Sequence, residues 1–138
     1  MLVGVDTGFF YCLKNGDLLA KKVWSEHEIV VSVITIFELE KASLKTTPQL
    51  WTELLGEIKE GCLLVPVALE TSQQAARITH GTSIPSLDSL ILASLLTAGC
   101  KEIYTSDPHL LLYKKTGVRI NLLKENRGGC ECRKDAYR

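Results

Sequence analysis

The sequence lacks a net charge and a long apolar run. Its 138 residues include sixteen basic and sixteen acidic residues, so the formal net charge is zero. A nucleic acid or an anionic membrane surface would therefore have to be met by a local patch of charge. No stretch reaches the roughly 18 apolar residues that a membrane helix requires. The best candidate, Leu90 to Leu96, is short and contains Ser94, so we expect no membrane span.

A secretory signal and a disulfide framework are also missing. Asp6 follows only five residues, without the basic start and apolar run of a signal peptide, and predicts a cytoplasmic protein. The five cysteines form an odd set that favours a reducing compartment. Cys130 and Cys132 supply two thiolates, whereas a structural zinc site takes four ligands. No second pair or nearby histidine is present, so we expect no zinc there.

The chain does contain enough apolar residues, 46%, to bury one core. Short apolar runs typical of buried strands alternate with segments that carry helix start and stop signals. This alternation predicts a three-layer α/β/α sandwich around a central, mainly parallel sheet, spanning residues 1–124. The composition of residues 125–138 predicts that they form a loose, basic tail that contains cysteines. The predicted strands cover residues 2–5, 29–33, 63–67, 103–105 and 118–122, and the predicted helices 18–24, 34–43, 50–59, 70–80 and 87–98.

Four acidic residues fall where such a sheet binds ligands, beyond the carboxyl ends of its strands. Asp6 follows the first strand, Glu38 lies in the helix after the second, Asp88 opens a helix and Asp107 follows the fourth strand. If they converge, their mutual repulsion would be costly unless a cation neutralises them. Carboxylate oxygens suit Mg²⁺ or Mn²⁺, which can activate water for phosphodiester hydrolysis.

Helix capping is the structural alternative for three of these acids. Asp88 and Asp107 stand where helix amino termini favour acids, and Glu38 follows Thr35 at the spacing of a capping box. Asp6 follows a buried strand and requires either a hydrogen-bonded turn or a ligand. Taken one at a time the acids leave both interpretations open, and their joint occurrence at four ends favours function.

The four segments resemble the acidic motifs of PIN domains, the nuclease family that includes the toxins of VapBC-type pairs. Val5-Asp6-Thr7 is similar to the first motif, and the second is matched by residues 32–39, in which a hydroxyl precedes Glu38. Asp88, beginning a helix of small and apolar residues, resembles the third, and Thr105-Ser106-Asp107 the fourth. The resemblance covers roughly residues 1 to 123. It departs at His109, which stands where the family often has a further acid and is interpreted as an ordinary exposed residue.

The resemblance implies an endoribonuclease dependent on Mg²⁺ or Mn²⁺, the toxin of a type II toxin–antitoxin pair. The implied metal-binding and catalytic residues are Asp6, Glu38, Asp88 and Asp107, supported by the hydroxyls of Thr7, Thr105 and Ser106. It also implies an RNA substrate, an antitoxin protein and a homodimer. Aromatic residues such as Phe37 could anchor a partner but are more often core. Most lysines, among them Lys114 and Lys115, are interpreted as solvated helix faces.

Other functions stay open. A non-catalytic PIN-like scaffold that binds RNA or protein and a housekeeping RNA-processing nuclease are both compatible with the sequence. Gly4 to Gly8 also resembles the phosphate loop of the actin and sugar-kinase ATPases, but that fold requires two larger domains. A haloacid-dehalogenase-type phosphatase would have an aspartate at the position of Gly8. The glycine-rich fingerprints of the common nucleotide-binding loops are missing from the sequence.

Overall fold

The structure, a computed structural model, describes residues 1–45 and 48–123. The predicted domain boundary at residue 124 and the predicted tail 125–138, with Cys130 and Cys132, lie outside the described residues. Within the described part, Cys12, Cys62 and Cys100 take no part in a disulfide. No helix in that part is both long and apolar enough to cross a membrane.

Five parallel strands form one sheet in the order β3-β2-β1-β4-β5. The first strand, β1, therefore lies at the centre, between β2 and β4. These three strands end at the same edge of the sheet, because they run in the same direction. The strands are β1 (Leu2–Val5), β2 (Glu28–Ser32), β3 (Leu63–Val65), β4 (Glu102–Thr105) and β5 (Arg119–Leu122).

Helices connect successive strands. The described residues contain six α-helices and one short 3₁₀ helix at Pro108–Leu112. The predicted three-layer architecture with a parallel sheet is confirmed, with element ends shifted by a few residues. The α-helices are α1 (Thr7–Lys14), α2 (Leu18–Glu26), α3 (Val33–Lys45), α4 (Pro48–Gly61), α5 (Leu69–Gly81) and α6 (Ser86–Thr97).

Helix α1 is the element that the sequence pattern did not predict. Its residues 7–12 are all buried, so this segment shows no alternation of polar and apolar faces. It also contains a glycine, a β-branched residue and three aromatic residues, all of which have low helix propensity. Burial and the Asp6 cap outweigh this propensity.

Alternate residues of β1 and β2 face two separate hydrophobic layers. Val3, Val5, Ile29 and Val31 pack with α1 to α4 on one face of the sheet. Leu2 and Val30 pack with α5 and α6 on the other. This period-two pattern follows from strand geometry, in which successive side chains point to opposite faces. It fixes which residues of each strand contact the helices on each face of the sheet.

Gly4 lets α6 approach the centre of the sheet. A Cβ atom at this position would lie 3.0 Å from Leu95 Cδ1 and 3.2 Å from Cys100 Sγ. Both neighbours are buried in the core, so they have little room to move. The close packing of β1 on α6 thus depends on a residue with no side chain.

We expect Gly4→Ala to lower the free energy of unfolding by about 1 to 3 kcal/mol, the usual cost of overpacking a core. The matched control is Gly56→Ala in α4, where an added Cβ meets no atom within 4 Å. That change should raise stability by about 0.5 to 1 kcal/mol, because alanine is the better helix former. Urea unfolding measures both. Equal effects of the two substitutions would contradict the packing assigned to Gly4.

Candidate active site

Asp6 lies where β1 ends and α1 begins, at the centre of the sheet edge. Its Oδ1 accepts a hydrogen bond from the backbone N–H of Phe9 at 3.0 Å and so caps α1. Its Oδ2 accepts one from Thr105 Oγ1, at the end of β4, at 2.5 Å. Only 3% of the Asp6 residue surface is exposed. Asp6 therefore joins the two neighbouring strand ends.

The environment of Asp6 opposes its ionisation. Burial is the largest cause and raises the pKa of this carboxyl from 3.8 to about 7. The hydrogen bonds from Thr105 and Phe9 act in the opposite direction. The negative charges of Asp88 and Asp107 also raise the pKa, and the value of about 7 includes all of these effects. Asp88 and Asp107 thus both lie close enough to Asp6 to act on its carboxyl electrostatically.

Asp107 is held by the strand end and by the turn that follows it. Its backbone N–H donates to Thr105 Oγ1 at 2.9 Å, so Thr105 contacts both Asp6 and Asp107. Its Oδ1 accepts from the backbone N–H of His109 at 3.0 Å and lies 2.9 Å from His109 Nδ1. Asp107 caps the 3₁₀ helix, as its sequence context allowed. Capping and membership of the acidic group therefore coexist in one residue.

His109 is exposed, as expected, but it is not isolated. Half of its side-chain surface is accessible, while its ring contacts Asp107. The sequence did not predict this contact, because a histidine two residues after an aspartate has no fixed partner in general. The one feature that could have indicated it is the Asp-Pro start of a helical turn, which directs both the N–H and the side chain of residue 109 towards the aspartate.

Glu38 joins the group through Thr7. The hydroxyl of Thr7 donates to Glu38 Oε1 at 2.6 Å. Thr7 Oγ1 also lies 3.1 Å from Thr35 Oγ1. A hydroxyl has one hydrogen, so with that of Thr7 on the carboxylate the contact is made by the hydrogen of Thr35. The sequence pattern did not indicate a role for Thr35 in the site, although Thr35 lies one helical turn before Glu38.

The helix start excludes the capping-box explanation of Glu38. Helix α3 begins at Val33, which makes Thr35 and Glu38 residues of the helix rather than its cap. The hydroxyl of Ser32 instead accepts the backbone N–H of Ile34 at 3.1 Å. Glu38 is thus presented from inside a helix whose partly buried face turns towards Thr7.

Asp88 lies in the first turn of α6 and is 6% exposed. Helix α6 is attached to the sheet by Ser32, whose hydroxyl donates to Ser94 Oγ at 3.2 Å. It is attached to α5 by Thr79, whose hydroxyl donates to Ser89 Oγ at 2.8 Å. These two contacts, the first buried and the second partly buried, fix the helix whose amino-terminal end carries Asp88. Ser106, between Thr105 and Asp107, is partly buried.

The group combines hard oxygen donors with unfavourable like charges, which is the donor chemistry of a Mg²⁺ or Mn²⁺ site. The side-chain arrangement is not that of a closed site. Among residues 1–45 and 48–123, no three histidine, cysteine, aspartate or glutamate side chains are grouped so that they could hold a metal ion. The residue types fit a dication, while the positions of the side chains do not enclose one.

We expect Thr105→Val to lower the free energy of unfolding by about 1 to 3 kcal/mol. The substitution removes the donor to Asp6 and leaves the backbone N–H of Asp107 without its acceptor, and an unsatisfied buried group costs about this much. Thr97→Val is the control, because Thr97 is exposed and its hydroxyl donates to the backbone oxygen of Ser94. Equal losses in urea unfolding would contradict the bridging role of Thr105.

The parallel sheet, the flanking helices and the acids at its edge define an α/β protein with an acidic site at the carboxyl ends of its strands. The family model of the PIN domain matches residues 3–116. The chain therefore belongs to the PIN domain family. No curated protein matches it by sequence.

Solved toxin–antitoxin structures have similar folds. VapBC2 from Rickettsia felis, bound to a promoter DNA fragment, matches with a TM-score of 0.70 at 12% identity, covering 90% of this chain and 100% of that chain. DNA-bound VapBC from Salmonella typhimurium matches with a TM-score of 0.70 at 17% identity and the same coverage. VapC20 from Mycobacterium tuberculosis, a sarcin-ricin loop cleaving toxin, matches with a TM-score of 0.66 at 17% identity, covering 85% and 98%. At these identities the likeness concerns the fold.

Proposed function

We propose that this chain is a cytoplasmic endoribonuclease dependent on Mg²⁺ or Mn²⁺, the toxin of a type II toxin–antitoxin pair. The observation that carries the proposal is the buried Asp6 carboxyl, whose pKa is raised to about 7 by burial first and also by the charges of Asp88 and Asp107. Placing carboxylates so close together without a cation is unfavourable. A function that brings a dication to the site explains why they are together.

The residues that would hold the ion are Asp6, Asp88 and Asp107, with Glu38 joined through Thr7. When bound, the dication would lower the pKa of a water and neutralise charge on the phosphodiester. The chain's own hydroxyls orient the acids: Thr105 holds one oxygen of Asp6, and Thr7 holds one oxygen of Glu38. The backbone N–H groups of Phe9 and His109 hold the other fixed oxygens.

The test is RNA cleavage by the purified chain. A mixed pool of single-stranded RNA is incubated with Mg²⁺, with Mn²⁺, with Ca²⁺ or with chelator, and the products are separated by size. We expect cleavage with Mg²⁺ or Mn²⁺ that chelator abolishes and renewed ion restores. Cleavage that continues in chelator would contradict the metal dependence. Internal cuts in an RNA blocked at both ends distinguish an endonuclease from an exonuclease.

One observation favours the second candidate, a non-catalytic scaffold that binds RNA or protein. In the part of the chain that the structure describes, the acids do not group into a closed metal site. A scaffold would bind RNA equally well with or without the ion and would leave it uncut. The same assay, combined with a binding measurement in chelator, separates the two candidates.

The antitoxin belongs to the same proposal. The matched structures from Rickettsia felis and Salmonella typhimurium contain VapBC, and a further match from Klebsiella pneumoniae is a toxin–antitoxin complex. Most aromatic residues among those the structure describes belong to the core or pack against it, but Phe37 on α3 is 53% exposed, and Val33 one turn earlier is 38% exposed. Such an apolar face suits a partner helix or strand.

Co-expression with the product of an adjacent small gene tests the partner. We expect the two proteins to co-purify and Phe37→Glu to weaken the complex. Leu69→Glu is the control, because Leu69 is also an exposed apolar residue, 78% exposed, but lies on α5. Light scattering of the purified chain reports the proposed homodimer in the same preparation. Toxicity without any co-purifying product would favour a stand-alone RNA-processing nuclease.

A further inference from the structure

A basic cleft lies on the α5 side of the sheet, apart from the acidic group. It has a volume of about 550 Å³ and opens between the second half of α5 and the segment that follows the 3₁₀ helix. Cations, an aromatic ring and polar groups line it together with apolar residues. They include Arg77, Lys114, Lys115, Tyr113, Gln74 and Thr82.

The charge of this cleft is not compensated nearby. Arg77, Lys114 and Lys115 are all exposed, and within the described ranges none of them lies in a salt bridge with a carboxylate. The chain as a whole is neutral. Three cations from two distant segments therefore make a local positive region of the kind that a neutral protein needs to attract a polyanion.

Tyr113 adds an aromatic surface to the cations. Its side chain packs partly against the core formed by α5 and α6, and burial raises the pKa of its phenol. The ring is thus anchored while it still lines the cleft. Single-stranded nucleic acids are bound by this combination of cations that contact phosphates and aromatic rings that stack on bases.

The two walls of the cleft lead directly to two of the acids. The 3₁₀ helix at Pro108–Leu112 connects Asp107 with Tyr113, a rise of roughly 10 Å for five residues. The other wall ends at Thr82, and the chain reaches Asp88 six residues later. At 3.4 Å per stacked nucleotide, about three nucleotides would span the roughly 10 Å between Asp107 and Tyr113.

We propose that this cleft binds single-stranded RNA beside the acidic site, with Arg77, Lys114 and Lys115 on phosphates and Tyr113 against a base. The inference rests on the proposed ribonuclease function. It revises the interpretation of Lys114 and Lys115 as solvated residues and gives Arg77 a role that the sequence did not indicate. An acidic protein segment would match the charge, but it would not use the aromatic ring or the connection to the acids.

The experiment measures binding of a fluorescent single-stranded RNA by anisotropy at salt concentrations between about 50 and about 200 mM. The full chain carries Asp6→Asn to prevent cleavage. The test variant adds Arg77→Gln, Lys114→Gln and Lys115→Gln. The control variant adds Lys21→Gln, Lys22→Gln and Lys59→Gln, which remove the same charge from exposed positions on α2 and α4, across the sheet.

We expect the cleft variant to bind RNA roughly 10- to 100-fold more weakly, with the slope of log affinity against log salt reduced by about 2, since each contact to a single strand contributes about 0.7. The control variant should keep both values. Equal slopes for the two variants would overturn the proposal. So would a cleft variant that keeps RNA affinity but loses binding to polyglutamate, which would assign the cleft to an acidic protein.

Cleavage by the wild-type chain is measured separately, so that the two proposals fail separately. RNA that binds through the cleft and is never cut refutes the nuclease and leaves the cleft. For this measurement the three cleft substitutions are made in a chain that keeps Asp6. If this chain cuts RNA as fast as the wild type, at RNA concentrations well below saturation, the cleft is refuted and the nuclease is left.

Discussion

Asp6→Asn is expected to reduce RNA cleavage by more than about 100-fold, because loss of a group that merely supports a metal ligand already costs about 10- to 100-fold. Asparagine keeps the size of the side chain and an oxygen that can accept the N–H of Phe9, so the cap of α1 can persist. What it removes is the negative charge at the centre of the acidic group. The measurement is the initial rate of RNA cleavage in Mg²⁺ and in Mn²⁺.

Asp17→Asn is a close control within the same chain. Asp17 is also a buried aspartate, 8% exposed, and its Oδ2 accepts the backbone N–H of Ala20 at 2.9 Å to cap α2. It differs from Asp6 in lying outside the acidic group. We expect Asp17→Asn to keep its activity, within the small loss that a weakened cap produces. Similar rates for the two variants would remove Asp6 from the proposed mechanism.

The second large effect concerns stability. Asp6→Asn, which should lower activity, should raise the stability of the fold at high pH. In chelator, the wild-type chain should lose stability as the pH rises from about 4 to about 8. The pKa of Asp6 is raised in the folded state from 3.8 to about 7, so in this window the folded state binds more protons than the unfolded state. The stabilising contribution is therefore present at low pH and is lost as the pH rises through about 7.

Asp6→Asn removes this dependence. The difference in unfolding free energy between the variant and the wild type should shift in favour of the variant by about 2 to 3 kcal/mol between about pH 5 and pH 8. Urea unfolding at the two pH values, in chelator, gives the difference. Using the difference cancels the other titrating groups. A constant difference would show that burial does not impose this penalty on Asp6.

Added metal provides an independent check on the same variant. An ion that binds only the folded state stabilises it by about 2.7 kcal/mol at a concentration 100 times its dissociation constant. We expect Mg²⁺ or Mn²⁺ to stabilise the wild type at pH 8 and to have a much smaller effect on Asp6→Asn. Asp17→Asn should respond as the wild type does. If Asp6→Asn abolishes activity but raises the stability of the fold, Asp6 is a residue kept for function at a cost in stability.

Much of the fold follows from local patterns. The apolar runs at residues 2–5 and 29–33 and the helical segments between them predicted a parallel sheet with helices on both faces, and the structure has this architecture. Helix α1 could not be predicted in the same way. Its buried residues face the core on every side, so periodicity carried no signal, and its formation depends on the tertiary packing of Phe9 and Phe10.

The acidic group shows the same division. The positions of Asp6, Asp88 and Asp107 at strand and helix ends could be read from the chain, because parallel strands end at one edge. The hydrogen bonds that orient these acids could not be predicted from the sequence. Thr105 contacts Asp6 across 99 positions of sequence and Thr7 contacts Glu38 across 31, and nothing local specifies these pairs. The sequence also indicated neither the contact of His109 with Asp107 nor the role of Thr35.

The amino-acid sequence alone determined the α/β class, the order of the five strands and of helices α2 to α6 along the chain, and the residue types at the sheet edge. These depend on the periodicity of apolar residues and on local start and stop signals. The tertiary structure decided the raised pKa of Asp6, the hydroxyl pairs that hold the acids and the basic cleft formed by Arg77 with Lys114 and Lys115. Each of these arises from burial or from contact between distant segments, and both exist only once the chain has folded.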